Sequence, residues 1–248
     1  MKFKLIACEI LFREINFVVS NSPHEVDVEF LTKGFHDLGK EEMSSRLSKV
    51  INDIDESEYD AVLLGYGLCN GGVTSLFVRE VQLVIPRVHD CISLFLGDRQ
   101  RYLDYFTANS GVYFLTTGWI ERGGELTQAM PDSIAQKLGL NFSKEELTKK
   151  YGTKNAEYLY DKLNMMRHYS KLTFIETGVE PDNSFEIFAK NYAKEKNLKY
   201  EKLKGNLSLL QKLVNGDWND KEFLIIKPNQ KIAFAYDDNI LTSVELCK

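Results

Sequence analysis

Short runs of apolar residues, each bounded by glycine, proline or polar residues, recur along the chain and predict buried β-strands. In the first half, these runs lie at residues 3–8, 60–67, 81–85 and 111–115. A further run lies at residues 171–175. Strands are also predicted at residues 198–203 and, one or two of them, within residues 222–236. Continuous apolar runs of this length, without polar alternation, are typical of strands that helices cover on both faces.

Apolar residues at helical spacing predict helices between these strands. Within residues 41–53, Met43, Leu47 and Ile51 recur every four residues and would share one face of a helix. Asp90 is expected to begin another helix, because a carboxylate there accepts hydrogen bonds from the free amides of the first turn. The other predicted helices span residues 90–106, 183–196 and 206–214.

Strands and helices alternate through the chain, which predicts an α/β fold with a largely parallel sheet sandwiched by helices. Residues 120–170 lack strand patterns and predict a helical insertion. We expect a single α/β domain over residues 1–248. The alternative is two βαβ lobes, residues 1–119 and 171–248, joined by the helical segment 120–170.

Composition and charge narrow the function classes. The sequence is 44% hydrophobic, 12% aromatic and 27% charged, as in a folded globular protein. Its net charge is −5 and it has no lysine- or arginine-rich run, so nucleic acid is not an expected partner. No apolar run approaches the roughly 20 residues of a membrane span, and no signal-peptide pattern follows Met1. The expected location is therefore the cytoplasm, with no membrane partner.

The candidate chemistry lies at the ends of the predicted strands. Cys8, Cys69 and Cys91 follow three separate strand runs, and His89 precedes Cys91 by two residues. Because ligands bind outside the carboxyl ends of parallel strands, these side chains would meet at one edge of the sheet. Thiolates with an imidazole suit zinc, and cytosolic cysteines are seldom disulfides, so one interpretation is a zinc site. The other interpretation is that the cysteines are small buried apolar side chains.

The glycine-rich string GYGLCNGG, residues 65–72, follows the second strand run. It is similar to a dinucleotide-binding loop, but Asn70 stands where the third glycine would be. The simpler interpretation is conformational. The glycines let the backbone pass close to a ligand, or they provide positive φ angles where Cys69 must point into a pocket.

The strings GYGLCNGG, LVIPRVHDCISLFLG and YFLTTGW together resemble the domain-of-unknown-function family 1638 of bacterial and archaeal proteins. The resemblance extends to KGFHD, FIETG and residues 205–230. It implies that His36 joins the thiols in one pocket, and it adds Arg87, Trp119 and Glu176 to the candidate site. Some members of this family occur in anaerobes near corrinoid-dependent methyl-transfer systems. This context implies a corrinoid protein as a partner but assigns no activity.

The first functional hypothesis is a metal-dependent transferase that acts on a small-molecule substrate. The zinc methyltransferases that move a methyl group from a corrinoid to a thiol are similar in using a His-x-Cys pair, here His89 and Cys91. Arg87 would hold a carboxylate or phosphate of the substrate, and Glu9 would act as acid or base. The predicted site comprises Glu9 and Arg87 for catalysis, Tyr66, Gly67, Trp119 and Glu176 for binding, and Cys8, His36, Cys69, His89 and Cys91 for zinc.

The second hypothesis is a protein that binds a metal, a corrinoid or a small molecule without turnover, as a carrier or sensor. The Asp-x-His-x-x-Gly loop of corrinoid carriers does not occur in the sequence, since Asp90 precedes Cys91 rather than a histidine. A purely structural zinc site is a third hypothesis. Four protein ligands would indicate structure or storage, whereas three ligands and an open position would indicate catalysis or substrate capture.

Overall fold

The structure, a computed structural model, describes residues 1–34, 38–122, 143–163 and 169–246. Within these ranges the chain forms ten strands and nine helices. In chain order they are β1 (Lys2–Cys8), α1 (Phe12–Ser20), β2 (Glu25–Leu31), α2 (Lys40–Asn52), β3 (Ala61–Gly65), β4 (Gln82–Pro86), α3 (Cys91–Leu96), α4 (Arg99–Ala108), β5 (Val112–Leu115), α5 (Thr117–Arg122), α6 (Lys144–Tyr151), α7 (Thr153–Leu163), β6 (Lys171–Glu176), α8 (Ser184–Glu195), β7 (Lys199–Lys204), α9 (Ser208–Asn215), β8 (Phe223–Ile226), β9 (Gln230–Phe234) and β10 (Leu241–Glu245).

Two sheets of parallel strands organise the fold. The first sheet has the order β2-β1-β3-β4-β8, in which β8 alone runs antiparallel to its neighbour. The second sheet has the order β5-β6-β7 and is entirely parallel. Strands β9 and β10 form a separate antiparallel pair. The predicted α/β class, with a largely parallel central sheet flanked by helices, is confirmed.

The main hydrophobic core lies around the first sheet. Every residue of β3 is buried, as its unbroken apolar run predicts for a strand that is covered on both faces. Helix α2 buries Met43, Leu47 and Ile51, the three residues whose spacing predicts a common face. Helices α1 and α9 pack against each other, and α9 also contacts β3 and β4. A smaller core that includes Leu172 and Phe174 lies at the second sheet.

Three local features differ from the sequence prediction. Residues 12–31 contain α1 and β2, neither of which was predicted. Strand β2 is an edge strand of sequence EVDVEFL, so charged side chains interrupt the apolar pattern that marks the central strands. The helix predicted at residues 90–106 is two helices, because Gly97 takes a positive φ of 71° and the Asp98 side chain then caps α4. Strand β5 pairs with β6 in the second sheet rather than joining the first.

The carboxyl ends of the second sheet face those of the first. After β5, Gly118 lies against the backbone of Ile10, which follows β1. After β7, the Asn206 amide donates a hydrogen bond of 2.9 Å to the carbonyl of Phe95 in α3. The second sheet takes its first strand from residues 112–115, upstream of the lobe boundary predicted at residue 119. The loops where ligands bind in parallel sheets therefore meet between the two sheets.

The described part of the predicted insertion at residues 120–170 is helical, with α6 and α7 as its main elements. Residues 123–142 and 164–168 lie outside the described ranges. Among the residues that the structure describes, no helix combines the length and the apolar character needed to cross a bilayer.

Candidate functional site

Cys8, Cys69 and Cys91 line one cavity at the carboxyl edge of the first sheet. Cys8 is the last residue of β1, Cys69 lies in the loop after β3, and Cys91 begins α3 after β4. Since β1, β3 and β4 are adjacent parallel strands, residues far apart in the chain end at the same edge. We call this space the thiol cavity. Its other lining residues are Ile10, Lys33, Met43, Gly65, Tyr66 and Trp119.

The thiol cavity is small and mostly apolar. For the centre of a water-sized sphere its volume is about 10 Å³, which is room for roughly one water molecule or one ion. All three cysteines are buried, and none of them is in a disulfide bond. Lys33 brings a positive charge to the wall, with its Nζ 5.7 Å from the centroid of the Trp119 ring.

The glycine-rich loop delivers Cys69 to the cavity through backbone contacts. A Cβ on Gly67 would lie 2.8 Å from the Asp90 nitrogen, so only glycine lets this loop lie against the loop after β4. The two loops are joined by hydrogen bonds from the amides of Leu68 and Cys69 to the carbonyls of Val88 and His89, at 2.9 and 3.0 Å. The close approach that the glycines were expected to allow is therefore present, but it is made to the backbone of Asp90.

Cys69 itself has a positive φ of 45°, and Asn70 and Gly71 follow with φ angles of 58° and 84°. A non-glycine residue in this region stores strain, which proteins keep mainly where function requires a particular side-chain direction. The predicted positive φ is therefore present, and it falls on Cys69 as well as on the glycine. The strained backbone directs the thiol of Cys69 to the wall of the cavity.

A helix cap delivers Cys91. The Asp90 carboxylate accepts hydrogen bonds from the amides of Ile92 and Ser93 at 3.0 and 3.3 Å, so the predicted cap of α3 is confirmed. The Tyr102 hydroxyl donates to the other carboxylate oxygen at 2.9 Å. These bonds fix the start of α3 and with it the position of Cys91.

Two further glycines allow close approach by other elements, Gly72 to a side chain and Gly118 to backbone. A Cβ on Gly72 would lie 2.2 Å from the Met43 sulfur, so the bare glycine leaves room for the thioether beside the cavity. A Cβ on Gly118 would lie 1.7 Å from the Ile10 carbonyl oxygen. This contact seats α5 on the turn after β1 and places Trp119 in the wall. Met43, Ile10 and Lys33 were not among the predicted site residues, since Met43 and Ile10 look like core positions and Lys33 follows the unpredicted β2.

Burial favours the neutral form of the Cys69 and Cys91 thiols. It raises the pKa of Cys69 to about 12 and the pKa of Cys91 well above its usual value, and the neighbouring thiols and Asp90 add to both effects. Burial also raises the pKa of Tyr66, whose hydroxyl has no hydrogen-bond partner among the described residues. A buried hydroxyl without a partner is an incomplete polar site, of the kind that a ligand, an ion or a water molecule completes.

Other predicted site residues lie away from the cavity. His89 is exposed and is not in the cavity wall. The Arg87 guanidinium donates hydrogen bonds to the backbone carbonyls of Asp220, Phe223, Asn239 and Leu241. Arg87 therefore holds the C-terminal strands against β4, with its donors directed at the chain itself.

The acidic candidates have partners of their own. The Glu9 carboxylate accepts a hydrogen bond of 2.8 Å from the Lys33 amide, which ties the turn after β1 to the segment after β2. Glu176 forms an ion pair of 3.1 Å with Lys202 on the second sheet. His36 lies outside the described residues; Lys33, three positions earlier, lines the cavity. The functional roles of these residues remain predictions.

The donor set has the chemistry of a soft metal site, but it is not a preformed coordination sphere. Across the described ranges, no group of three or more His, Cys, Asp or Glu side chains is already arranged to hold a metal ion. Three thiols share the wall of one cavity, and rotation about each Cα–Cβ bond can turn a cysteine sulfur between its staggered positions. Thiolates, with the thioether of Met43 beside them, favour zinc or copper(I) over hard cations.

The fold and the site define an α/β protein with a buried thiol cavity at the carboxyl edge of a parallel sheet. The chain belongs to the family described as a protein of unknown function (DUF1638), whose family model matches residues 30–214. This match confirms the resemblance carried by the sequence motifs. Comparison with curated proteins found no match, and comparison with solved structures found none either. The family description assigns no activity.

Proposed function

We propose that this protein binds one thiophilic metal ion, with zinc as the leading candidate, at the thiol cavity through Cys8, Cys69 and Cys91. The observation that carries the proposal is the common cavity reached by thiols from the ends of three adjacent parallel strands. Each thiol arrives by a specific backbone device: the end of β1, the strained loop at Cys69, and the capped start of α3. Ordinary packing of three small apolar side chains requires no such devices.

The electrostatics of the cavity favour a cation. Buried thiols with raised pKa values stay protonated at neutral pH, and a bound metal ion reverses this balance because it coordinates the thiolate form. Binding of the metal ion would therefore release protons from the thiols and draw the sulfur atoms into the cavity. Binding would also place a charge next to the unpartnered Tyr66 hydroxyl.

Lys33 and Trp119 favour a catalytic use of the site. Zinc, when bound, keeps a coordinated thiol as thiolate near neutral pH, which is the activation that thiol-directed transfer needs. The Lys33 ammonium can pair with an anionic group of a small-molecule substrate, and the Trp119 ring excludes water from the same side. On this proposal the protein is a metal-dependent transferase, with a corrinoid protein as the partner that the resemblance implies.

The small volume favours the second candidate, a metal carrier or sensor without turnover. Space of about 10 Å³ admits an ion, whereas an organic substrate needs far more unless the wall moves. The number of protein ligands separates these candidates, since a fourth protein ligand closes the site. X-ray absorption spectroscopy of the loaded protein counts sulfur and nitrogen neighbours and therefore decides between them.

Metal content tests the proposal directly. The chain is purified anaerobically, reconstituted with zinc, passed through a desalting column and measured by elemental analysis. We expect about one ion per chain in the wild type and at least about a tenfold loss in Cys69→Ala, since ligand removal has large effects on affinity. Ser93→Ala is the matched control: it removes one heavy atom from a fully buried side chain of α3 that is not in the cavity wall. A folded wild type that takes up no zinc or copper(I) contradicts the proposal, and so does equal loss in both variants.

A further inference from the structure

A buried carboxyl group lies where the two sheets meet. Glu14, in α1, is 0% exposed, and its Oε2 atom has no hydrogen-bond partner among the described residues. Its other oxygen, Oε1, forms a hydrogen bond of 2.9 Å with the Thr177 hydroxyl, which follows β6 of the second sheet. A charged carboxylate with one unpartnered oxygen is costly to bury, so burial favours the neutral form of this group.

A second carboxylate shares the same hydroxyl. Glu180 accepts a hydrogen bond of 2.8 Å from the Thr177 amide and another of 2.8 Å from the Gly178 amide, so it is fixed to its own loop. The Thr177 hydroxyl is 3.1 Å from Glu180 and 2.9 Å from Glu14. Thr117, at the start of α5, is 3.5 Å from Glu180. We call Glu14, Thr117, Thr177 and Glu180 the carboxyl cluster.

The charged groups that face Glu14 are mostly anionic. Burial is the largest cause of the raised pKa of Glu14. Hydrogen bonds, including the one with Thr177, lower this pKa, whereas Glu180 from the loop after β6 and Glu121 from α5 raise it, and the result is about 7. Arg13, on the same helix as Glu14, is the nearby cation, and Glu121 holds it in hydrogen bonds of 3.0 and 2.9 Å. Asp182 also lies in the field of Arg13. From α9, the neighbour of α1, the neutral Gln211 side chain donates to the Val18 carbonyl.

The carboxyl cluster and the thiol cavity share structural parts. Ile10, one helical turn before Glu14, lines the cavity. Trp119, two residues after Thr117, also lines it, and Gly118 between them lies on the Ile10 carbonyl. A displacement of the second sheet from α1 at the cluster would therefore move Trp119 relative to Ile10. One wall of the thiol cavity belongs to this junction.

We infer that the protonation state of Glu14 controls access to the thiol cavity. With Glu14 neutral, the protonated carboxyl donates to the Thr177 oxygen while Thr177 donates to Glu180, and the junction between the sheets stays closed. When Glu14 loses its proton, two carboxylates compete for one hydroxyl, and the buried charge is relieved by separation of the loop after β6 from α1. The Trp119 wall then loosens and the cavity opens as the pH rises. This inference rests on the proposed function only in taking the thiol cavity as the functional site.

Thiol alkylation of the metal-free protein tests the inference, because it does not require the metal proposal to be right. The rates at which N-ethylmaleimide modifies Cys69 and Cys91 are followed by peptide mass spectrometry in wild type and Glu14→Gln. The thiolate fraction changes with pH in the same way in both proteins. The ratio of the wild-type rate to the Glu14→Gln rate therefore isolates the effect of Glu14. Linkage between opening and a pKa of about 7 predicts that this ratio rises about tenfold between about pH 6 and pH 8.

The controls make each outcome decisive. Glu56→Gln is the control, because it changes another buried glutamate. Burial raises the pKa of Glu56, but hydrogen bonds from Arg79, Glu80 and Val81 outweigh it and lower the pKa. The ratio of the wild-type rate to the Glu56→Gln rate should therefore not vary in this pH range. A constant ratio for Glu14→Gln overturns the inference even if zinc binds. A rising ratio supports it even if no metal binds.

A second measurement needs no Glu14 variant: in Trp218→Phe, Trp119 is the sole tryptophan, and acrylamide quenching should increase with a midpoint near the Glu14 pKa. Quenching that does not change with pH contradicts the inference.

Discussion

The carboxyl edges of the two sheets carry opposite chemistry, although both are formed by parallel strands. The edge of the first sheet presents three thiols, of which Cys69 and Cys91 have raised pKa values. The edge of the second sheet presents hydroxyls and carboxylates, with Thr177 and Glu180 at the end of β6. The first edge carries soft sulfur donors, whereas the second carries oxygen groups, of which Thr177 contacts the buried Glu14 of α1.

The difference shows how one architecture separates two tasks. Ligands bind at the carboxyl edge of parallel sheets, so two sheets that face each other bring two sets of strand-end residues to one junction. The first edge supplies the proposed metal donors, and the second supplies Thr177, which contacts Glu14 of α1, a group whose pKa burial raises to about 7. Gly118 joins the two, because its bare backbone lies on the Ile10 carbonyl.

Gly118→Ala is the strongest way to break the comparison. An added Cβ would lie 1.7 Å from a backbone oxygen that no side-chain rotation can move, so α5 must leave its seat. We expect the free energy of unfolding to fall by about 4 kcal/mol, at the upper end for single substitutions. Urea denaturation followed by circular dichroism measures this loss.

Gly216→Ala is the control for Gly118→Ala. Gly216 has a positive φ of 76°, but its nearest neighbour would be 3.6 Å from the new Cβ, so the variant adds backbone strain without a clash. We expect a loss of about 1 kcal/mol there. Equal losses in the two variants would mean that the contact of Gly118 with Ile10 does not hold the sheets together.

Glu14→Gln tests the contact between α1 and the second edge through the pH dependence of stability. The folded pKa of Glu14 is raised from 4.5 to about 7, so the folded state binds this proton more tightly than the unfolded state. The stability that depends on the proton is complete below about pH 4.5 and is lost as the pH rises through about 7. A shift of this size corresponds to roughly 3 kcal/mol. The free energy of unfolding of Glu14→Gln should therefore increase relative to that of the wild type as the pH rises.

The measurement for Glu14→Gln is a series of urea denaturation curves from about pH 4.5 to pH 8, where linkage predicts the change. The difference in the free energy of unfolding between the variant and the wild type should grow in favour of the variant across the series. Parallel pH profiles for the two proteins would show that Glu14 is ionised in the folded state, and the contrast between the two edges would disappear.

Asp90→Ala tests how firmly the first edge holds Cys91. The variant removes the acceptor for the Ile92 and Ser93 amides, and loss of a helix cap costs about 1 kcal/mol. Asp98→Ala is the matched control, since Asp98 caps α4 through the Arg101 amide. Both variants should lose similar stability in thermal denaturation, but only Asp90→Ala should speed the alkylation of Cys91. If Asp98→Ala speeds it equally, the cap does not position the thiol.

Much of the first edge could be predicted because its signals are local. Unbroken apolar runs mark central parallel strands, and three runs that each end near a cysteine place the thiols of Cys8, Cys69 and Cys91 at one edge. The cap at Asp90 also follows from a local pattern. The membership of β5 in a second sheet could not be predicted, since an apolar run reports burial but does not identify the neighbouring strand.

Arg87 shows the same limit at the level of a side chain. A guanidinium beside a candidate site looks like a substrate clamp, yet the carbonyls that accept its hydrogen bonds lie 133 to 154 positions later in the chain. The contribution of Glu14 has the same origin. A glutamate in a helix gives no local sign that Thr177, which is 163 positions away, will cover it.

His89→Ala should have the smallest effect on zinc content and stability, and it tests whether His89 belongs to the first edge. His89 and Cys91 are two residues apart, but Cys91 is buried in the cavity wall and His89 is exposed outside it. We expect His89→Ala to keep at least half of the wild-type zinc content and to change stability by no more than about 0.5 kcal/mol, as for exposed substitutions. Cys91→Ala, measured in the same preparation by elemental analysis, should lose at least about ninety per cent of the metal, in line with removal of a direct ligand. If the two variants lose metal equally, His89 must turn inward when the ion binds. The site would then use the His-x-Cys pair, and the first edge would include His89 as well as the thiols.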